Sequence, residues 1–256
     1  MARGAATPPA RLAAARAGAT NFGRNCFAFA DGIGSFVVIG TLVIDTELEY
    51  DVPDLQVKCP DKCTLCLDSC PTGALYEPLR MNPLRCIAYN FYAVPGSLIG
   101  VGPDVLPREI REHMGTWVYG CDVCQQVCPR NQPRLKAKLP ANTYLERIAG
   151  DFRVDKLLTM SDKHFNSRVS PVLHYIRNKR YLQRNAAVAL GNSGQEEAVE
   201  PLGSAMQDSD ELIRGHAAWA LGKIGGRQAR QLLESSLAKE TSPYVQEEML
   251  TALERQ

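Results

Sequence analysis

The chain has 256 residues, 45% of them hydrophobic, and its 29 Lys+Arg against 28 Asp+Glu leave a net charge of +1. That is enough chain for one large or two modest domains with ordinary soluble composition, and no run reaches the roughly 18 consecutive apolar residues of a membrane span. The near-neutral total hides an asymmetry: residues 129–184 carry 13 Lys+Arg against 4 Asp+Glu, and both flanking blocks are acidic.

In chain order, Met1–Ala19 is rich in Ala and Arg but lacks the apolar centre of a secretory signal, and Leu12–Arg16 fits an amphipathic helix. Phe27–Ala30 and Phe36–Ile44 read as strands, with Asp31-Gly32 and Gly34-Ser35 as turn signals. Two or three strands and one helix do not make a self-sufficient sheet, so residues 1–57 read as the trailing end of a larger domain or a cap on the next. Residues 58–133 hold most of the cysteines among Pro and Gly, with short helical runs at Cys86–Ala93 and Arg108–His113. So many turns leave a thin apolar core, and bound clusters are expected to supply much of the folding energy there. Pro133–Pro140 reads as a basic linker.

Residues 141–256 are expected to be helical. Asp155–Met160 is apolar at helical spacing, and Ser161 is a good N-cap for a helix through His164 and Phe165. Arg184–Gly194 then recurs as Gly215–Gly225, an offset of 31 residues, with a degenerate third copy from about Gln246. The alanines allow close helix packing, and Gly191 and Gly222 are expected to end helices in the left-handed region. A period near 30 built of helix pairs is a HEAT-like solenoid. The expected fold class is α+β: a remnant β/α segment (1–57), a bacterial ferredoxin-like double-cluster domain (58–133) and a C-terminal α-solenoid (141–256).

The chemistry lies in the nine cysteines. One run is Cys59-x3-Cys63-x2-Cys66-x3-Cys70-Pro71; the other is Cys121-x2-Cys124-x3-Cys128-Pro129, with Cys86 between them. Eight thiolates are what two [4Fe–4S] clusters need, and in the bacterial pattern the Cys before Pro ligates the other cluster. That rule puts Cys59, Cys63, Cys66 and Cys128 on cluster 1, and Cys70, Cys86, Cys121 and Cys124 on cluster 2. Zinc would leave cysteines over and does not call for the Cys-Pro endings. The first gap is one residue longer than the simple pattern; either the extra residue is absorbed as a bulge or Cys59 stands outside the ligand set. Nine is an awkward count for a disulfide framework, so the cytoplasm is the expected location. Cys26 remains as a structural thiol, and His113, His164, His174 and His216 show no pairing that suggests ligation. Trp219 lies in the core pattern of the repeats. In the basic block, Arg177, Lys179, Arg180 and Arg184 beside Tyr175 and Tyr181 form a candidate RNA surface, against the plainer reading of a solvated helix face.

These motifs together resemble a known family. Tyr119–Pro129 looks like the second cluster motif of the epoxyqueuosine reductases, and Cys66–Leu75 and Arg85–Tyr89 are similar to their first motif and isolated cysteine. Ala14–Gly18, Phe22–Asn25, Gly34–Phe36 and Thr41–Asp45 continue the likeness upstream, and Phe165 and Tyr181–Asn192 do so downstream, so that it covers about residues 11–256 in order. The resemblance implies low-potential electrons passing through two clusters to a cobalamin, which removes the epoxide oxygen of a modified guanosine in a tRNA anticodon loop. It also implies an electron donor such as flavodoxin or ferredoxin and tRNA as a partner; the lack of a long apolar run leaves no membrane partner expected. The family's corrinoid domain and catalytic aspartate lie upstream of the matching region, so the reading is an electron-transfer portion, with cobalamin bound only through a completing domain and no catalytic residue assigned here. The alternative is an adaptor with structural clusters and a HEAT-like partner-binding surface.

Overall fold

A computed structural model describes residues 10–42, 44–92, 103–138, 140–173 and 176–255. The chain forms two compact units, one from residues 1–86 with 122–139 and one from 87–121 with 140–256. Residues 87–121, which the linear reading assigned to the cysteine segment, thus belong to the helical unit.

The first unit opens with the helix Ala10–Arg16, closed by Gly18 at φ +69°. Strands β1 (Asn21–Phe22) and β2 (Ala28–Phe29) pair antiparallel, with Asn21 opposite Phe29 and Phe22 opposite Ala28. Phe22 also makes a parallel bridge to Val57. The expected strand at Phe27–Ala30 is therefore present in short form. The one expected at Phe36–Ile44 is not: its described residues are irregular, and Val38, Leu42 and Ile44 are exposed. Alternating β-branched residues supply a strand's side chains but not its hydrogen-bond partner, and no neighbouring strand lies beside this one among the described residues. A second hairpin pairs β3 (Leu75–Glu77) with β4 (Arg80–Met81).

Two one-turn helices, Leu65–Asp68 and Val123–Gln126, pack against each other, and each runs on into a Cys-Pro pair. The supposed linker after them begins with a helix, Gln132–Lys136, in which Pro133 sits in the first turn, where its missing N–H costs nothing. Buried polar bonds tie the N-terminal turn to this part of the unit. Ser35 N–H donates to Asn131 Oδ1 (2.8 Å), Asn131 Nδ2 donates to Ser35 Oγ (2.8 Å), and Ser35 Oγ donates to Gln125 Oε1 (2.8 Å). The Arg130 guanidinium lies 4.1 Å from the Phe29 ring centroid and donates to Asn21 Oδ1 (2.6 Å).

In the second unit the helix Arg108–His113 has the expected bounds, and the one expected at Cys86–Ala93 runs over Ile87–Tyr92, with Ala93 outside the described residues. Val154–Leu158 precedes the expected cap, where Ser161 Oγ accepts from His164 N–H (3.2 Å); π-helical turns Phe165–Val169 follow. The repeats are the helices Lys179–Ser193, Glu211–Ile224 and Pro243–Glu254, each packed on the next, with Val199–Ala205 and Gly226–Leu237 between them in sequence. Trp219 is buried among them, as expected.

The repeat glycines are corrected. Gly191 and Gly222 lie inside their helices, and the caps are Gly194, left-handed at φ +64°, and Gly225, with a positive φ of +74° but an extended ψ of −165°. Close packing is what requires Gly191 and Gly222: a Cβ on Gly191 would stand 2.7 Å from Ala220 Cα, and one on Gly222 would stand 2.4 Å from Ala252 Cβ. Neither approach is tolerable without a shift of helix backbone.

Candidate metal centre

Four cysteines from the two runs line one small, partly enclosed pocket in the first unit. Cys59, Cys63 and Cys66 come from the first run and Cys128 from the second; Arg24, Asn25, Phe29 and Pro129 complete the wall. The local folding explains the convergence. Cys66 rides on the Leu65–Asp68 turn, Cys128 is the residue before the Pro129–Asn131 turn, and the two short helices pack together. The Asn131 and Arg130 bonds already described fix the turn that carries Cys128.

The thiols sense one another. The Cys66 thiol is pushed up to about 11 by burial first, then by the nearby Cys59, Cys128 and Cys63 sulfurs. Burial also pushes the Cys128 thiol up, while the backbone N–H groups of Arg130 and Asn131 pull it back. Without a cation Cys66 and Cys128 favour their neutral forms; a soft polycation bound in the pocket would reverse that and release protons. Among the described residues no three His, Cys, Asp or Glu are disposed to hold a single metal ion. Four soft thiolate donors lining one space, three from one run and the Cys-Pro thiol from the other, are the donor set an iron–sulfur cube would use.

For the second proposed set, Cys70, Cys86 and Cys124 belong to the first unit and Cys121 is the last residue of a segment of the second. Cys70 Sγ lies 3.9 Å from Thr72 Oγ1, and Thr72 Oγ1 donates to Arg85 O (2.6 Å), which links the Cys70 turn to the residue before Cys86. The Cys124 carbonyl accepts from Asn25 Nδ2 (3.2 Å). Cys26 is half-buried at φ +66°, its thiol pushed up by burial, and it does not line the four-thiol pocket. Asp31 is taken up by Lys58 (2.9 Å), Arg130 (3.5 Å) and Asn21 (2.7 Å), which gives it a structural task.

Of the candidate RNA contacts, Arg177 is exposed, Lys179 pairs with Asp162 (3.2 Å) and Arg180 pairs with Asp210 (3.0 Å). Arg184 must be withdrawn from that set. It is fully buried, donating to Asp104 O (2.5 Å), Pro103 O (3.2 Å) and Asn90 O (2.8 Å). Burial pulls its pKa down to about 9, so it stays a cation at neutral pH, spent on capping backbone carbonyls. Tyr181 is buried with its hydroxyl on Asp104 (2.5 Å), and Tyr175 and His174 lie outside the described residues. His216 is buried, His113 is exposed, and His164 Nε2 lies 3.0 Å from Asp151 O. Sequence reasoning assigned no role to Arg24, Asn25 or Asn131; the Phe22–Asn25 stretch stood out only through the family likeness.

Comparison with known proteins agrees with this geometry. A family model described as a 4Fe-4S double cluster binding domain matches residues 58–131, and one described as HEAT repeats matches residues 170–254. The epoxyqueuosine reductase of Bacillus subtilis (strain 168) is 36% identical over 231 residues, covering 90% of this chain and 57% of that protein. The crystal structure of a selenomethionine-labelled epoxyqueuosine reductase superposes with a TM-score of 0.79 at 32% identity, covering 96% of this chain and 63% of the other. Along nearly its whole length the chain is similar to epoxyqueuosine reductases. It spans about 60% of the length of the curated reductases it matches. Another epoxyqueuosine reductase, crystallised with an epoxyqueuosine-modified tRNA-Tyr stem loop, superposes with a TM-score of 0.74 at 31% identity over 96% of this chain and 63% of its own. The chain thus matches both an iron–sulfur and a helical-repeat family model within the span it shares with these reductases. Among the described residues no helix is long and apolar enough to cross a membrane.

Proposed function

We propose that this chain is the electron-transfer portion of an epoxyqueuosine reductase, carrying two [4Fe–4S] clusters. Cys59, Cys63, Cys66 and Cys128 hold one, and Cys70, Cys86, Cys121 and Cys124 hold the other. The observation that carries the reading is the pocket in which three thiols of the first run meet the Cys-Pro thiol of the second. That crossing is what the interlocked double-cluster pattern demands, and neither a zinc finger nor a disulfide framework calls for it. Opening an epoxide to an alkene and water consumes two electrons and two protons. Two one-electron carriers suit that demand, fed by a small donor such as flavodoxin or ferredoxin. In the family reaction the oxygen is removed from epoxyqueuosine in tRNA. Cobalamin, where bound, would supply the reducing centre, and the cysteine-held clusters would deliver the charge to it.

Anaerobic purification followed by iron and acid-labile sulfide analysis should return about eight of each per chain. Zinc without sulfide would end the proposal. Clusters that resist one-electron reduction would favour the adaptor reading instead. Cobalamin retained by these 256 residues alone would show that the corrinoid site does not need a completing domain.

A further inference from the structure

The first cysteine run departs from regular spacing between Cys59 and Cys63. The extra length is absorbed with Lys62 at φ +52°, a conformation a lysine seldom adopts, and the turn is closed by Cys63 N–H donating to Pro60 O (3.2 Å). Such a loop does not by itself hold the Cys59 sulfur on the face where Cys63 and Cys66 point. One residue outside the run grips both ends of this gap. The Arg24 backbone N–H donates to Cys59 Sγ (3.3 Å), and its guanidinium Nη1 donates to Cys63 O (2.5 Å).

Arg24 is itself held in place. A Cβ on the preceding Gly23 would lie 2.3 Å from the Phe29 ring and 2.6 Å from Asn25 Oδ1, so the chain turns there only because that residue is glycine. The Arg24 carbonyl accepts from Leu79 N–H (2.9 Å), and Asn25 reaches the Cys124 carbonyl (3.2 Å).

We propose that Arg24 is the positioning residue that makes Cys59 a cluster ligand despite the lengthened gap, its guanidinium locking the loop and its N–H orienting the sulfur. The inference rests on the cluster reading above. Partners that orient metal ligands are commonly worth 10–100-fold in metal retention, and a hydrogen bond to a ligating sulfur also moves the cluster's potential. Substitution of Arg24 removes the guanidinium clamp but keeps the N–H, so the iron at the Cys59 corner should become the labile one.

The test uses the full chain as wild type, Arg24→Ala, Arg24→Lys, Cys59→Ser and the Arg24→Ala/Cys59→Ser double variant, all loaded anaerobically. Ferricyanide takes one electron from a [4Fe–4S]2+ cluster; loss of Fe2+ then leaves [3Fe–4S]+, which EPR follows. Arg24→Ala should convert one of the two clusters about tenfold faster than wild type. Arg24→Lys should lie between, and the double variant should convert no faster than Cys59→Ser. A wild-type rate in Arg24→Ala, or an effect that adds fully to Cys59→Ser, overturns the inference while leaving eight irons per chain and the proposed function intact. A wild type without iron overturns both. If Arg24→Ala does not fold, Arg24→Lys carries the comparison, and a wild-type rate there overturns the inference equally.

Discussion

At Gly191 and Gly222 one methyl group decides whether neighbouring helices can touch. Alanine in a helix interior ordinarily gains about 0.5–1 kcal/mol over glycine. Here the added carbon meets Ala220 or Ala252 backbone at 2.7 Å, and overpacking of that kind costs about 1–3 kcal/mol. The sign therefore reverses: Gly191→Ala and Gly222→Ala should each lower the melting temperature with bound iron unchanged. Gly150→Ala, where no heavy atom lies within 4 Å, should leave it unchanged or raise it. The repeat itself was legible in the sequence, but the glycines' task was not. Periodicity reports that a helix forms and says nothing about what lies across from it, so Gly191 and Gly222 looked like terminators until their neighbours were in view.

The helix Glu211–Ile224 carries a buried histidine whose protonation is set by its surroundings. His216 donates from Nδ1 to Leu212 O (2.7 Å) and accepts at Nε2 from Leu106 N–H (3.3 Å), with the Tyr244 hydroxyl 3.3 Å from Nδ1. Burial first, then the Arg111 and Arg184 cations, hold its pKa well below the usual value; Arg111 in turn pairs with buried Glu248 at 3.0 Å. On acidification the unfolded chain gains a proton near pH 6.5 that the folded chain refuses. Stability should be full above about pH 6.5 and fall as the pH drops below it. Denaturant titrations at a series of pH values should show that slope, and His216→Gln should flatten it. Glu240 loses its contribution in a separate, more acid window, from about 4.5 down to about 2, because the Arg214 hydrogen bonds hold its carboxyl low. At this scale the local signals read well: Ser161 caps its turn and Arg108–His113 forms as expected because each needs only its own neighbours. Phe36–Ile44 failed as a strand because pairing is a property of two segments. That Cys128 would stand near Cys63 and Cys66 could be read from the Cys-Pro rule, which is itself non-local, whereas spacing alone left Cys59 open. The Arg24 clamp carries no such signature.

Over the whole molecule, the positive block that the sequence displays is smaller in the structure. Arg130 lies against Phe29, Arg153 pairs with Asp155, Lys179 and Arg180 pair with Asp162 and Asp210, and Arg184 is buried. Arg147, Lys156, Lys163, Arg168 and Arg177 remain exposed in the second unit. A tRNA anticodon stem loop is expected to bind with an affinity that falls steeply with salt. Charge removal at Arg177, Lys179 and Arg180 should lower the log–log slope by about 0.7–0.9 for each phosphate no longer neutralised. Arg184→Ala should instead lower the melting temperature, because it strips three backbone carbonyls of their donor. Binding that ignores salt would count against an electrostatic RNA surface.

The four-thiol pocket has a consequence in time. Its first three sulfurs leave the ribosome within eight residues of one another, whereas Cys128 follows 62 residues after Cys66, beyond a stretch that mostly joins the other unit. Until then the early thiols are exposed to oxidants and stray metals. Any inorganic guest arriving sooner would find three walls of a room and no door to close: the pocket is whole only once Cys128 has been made.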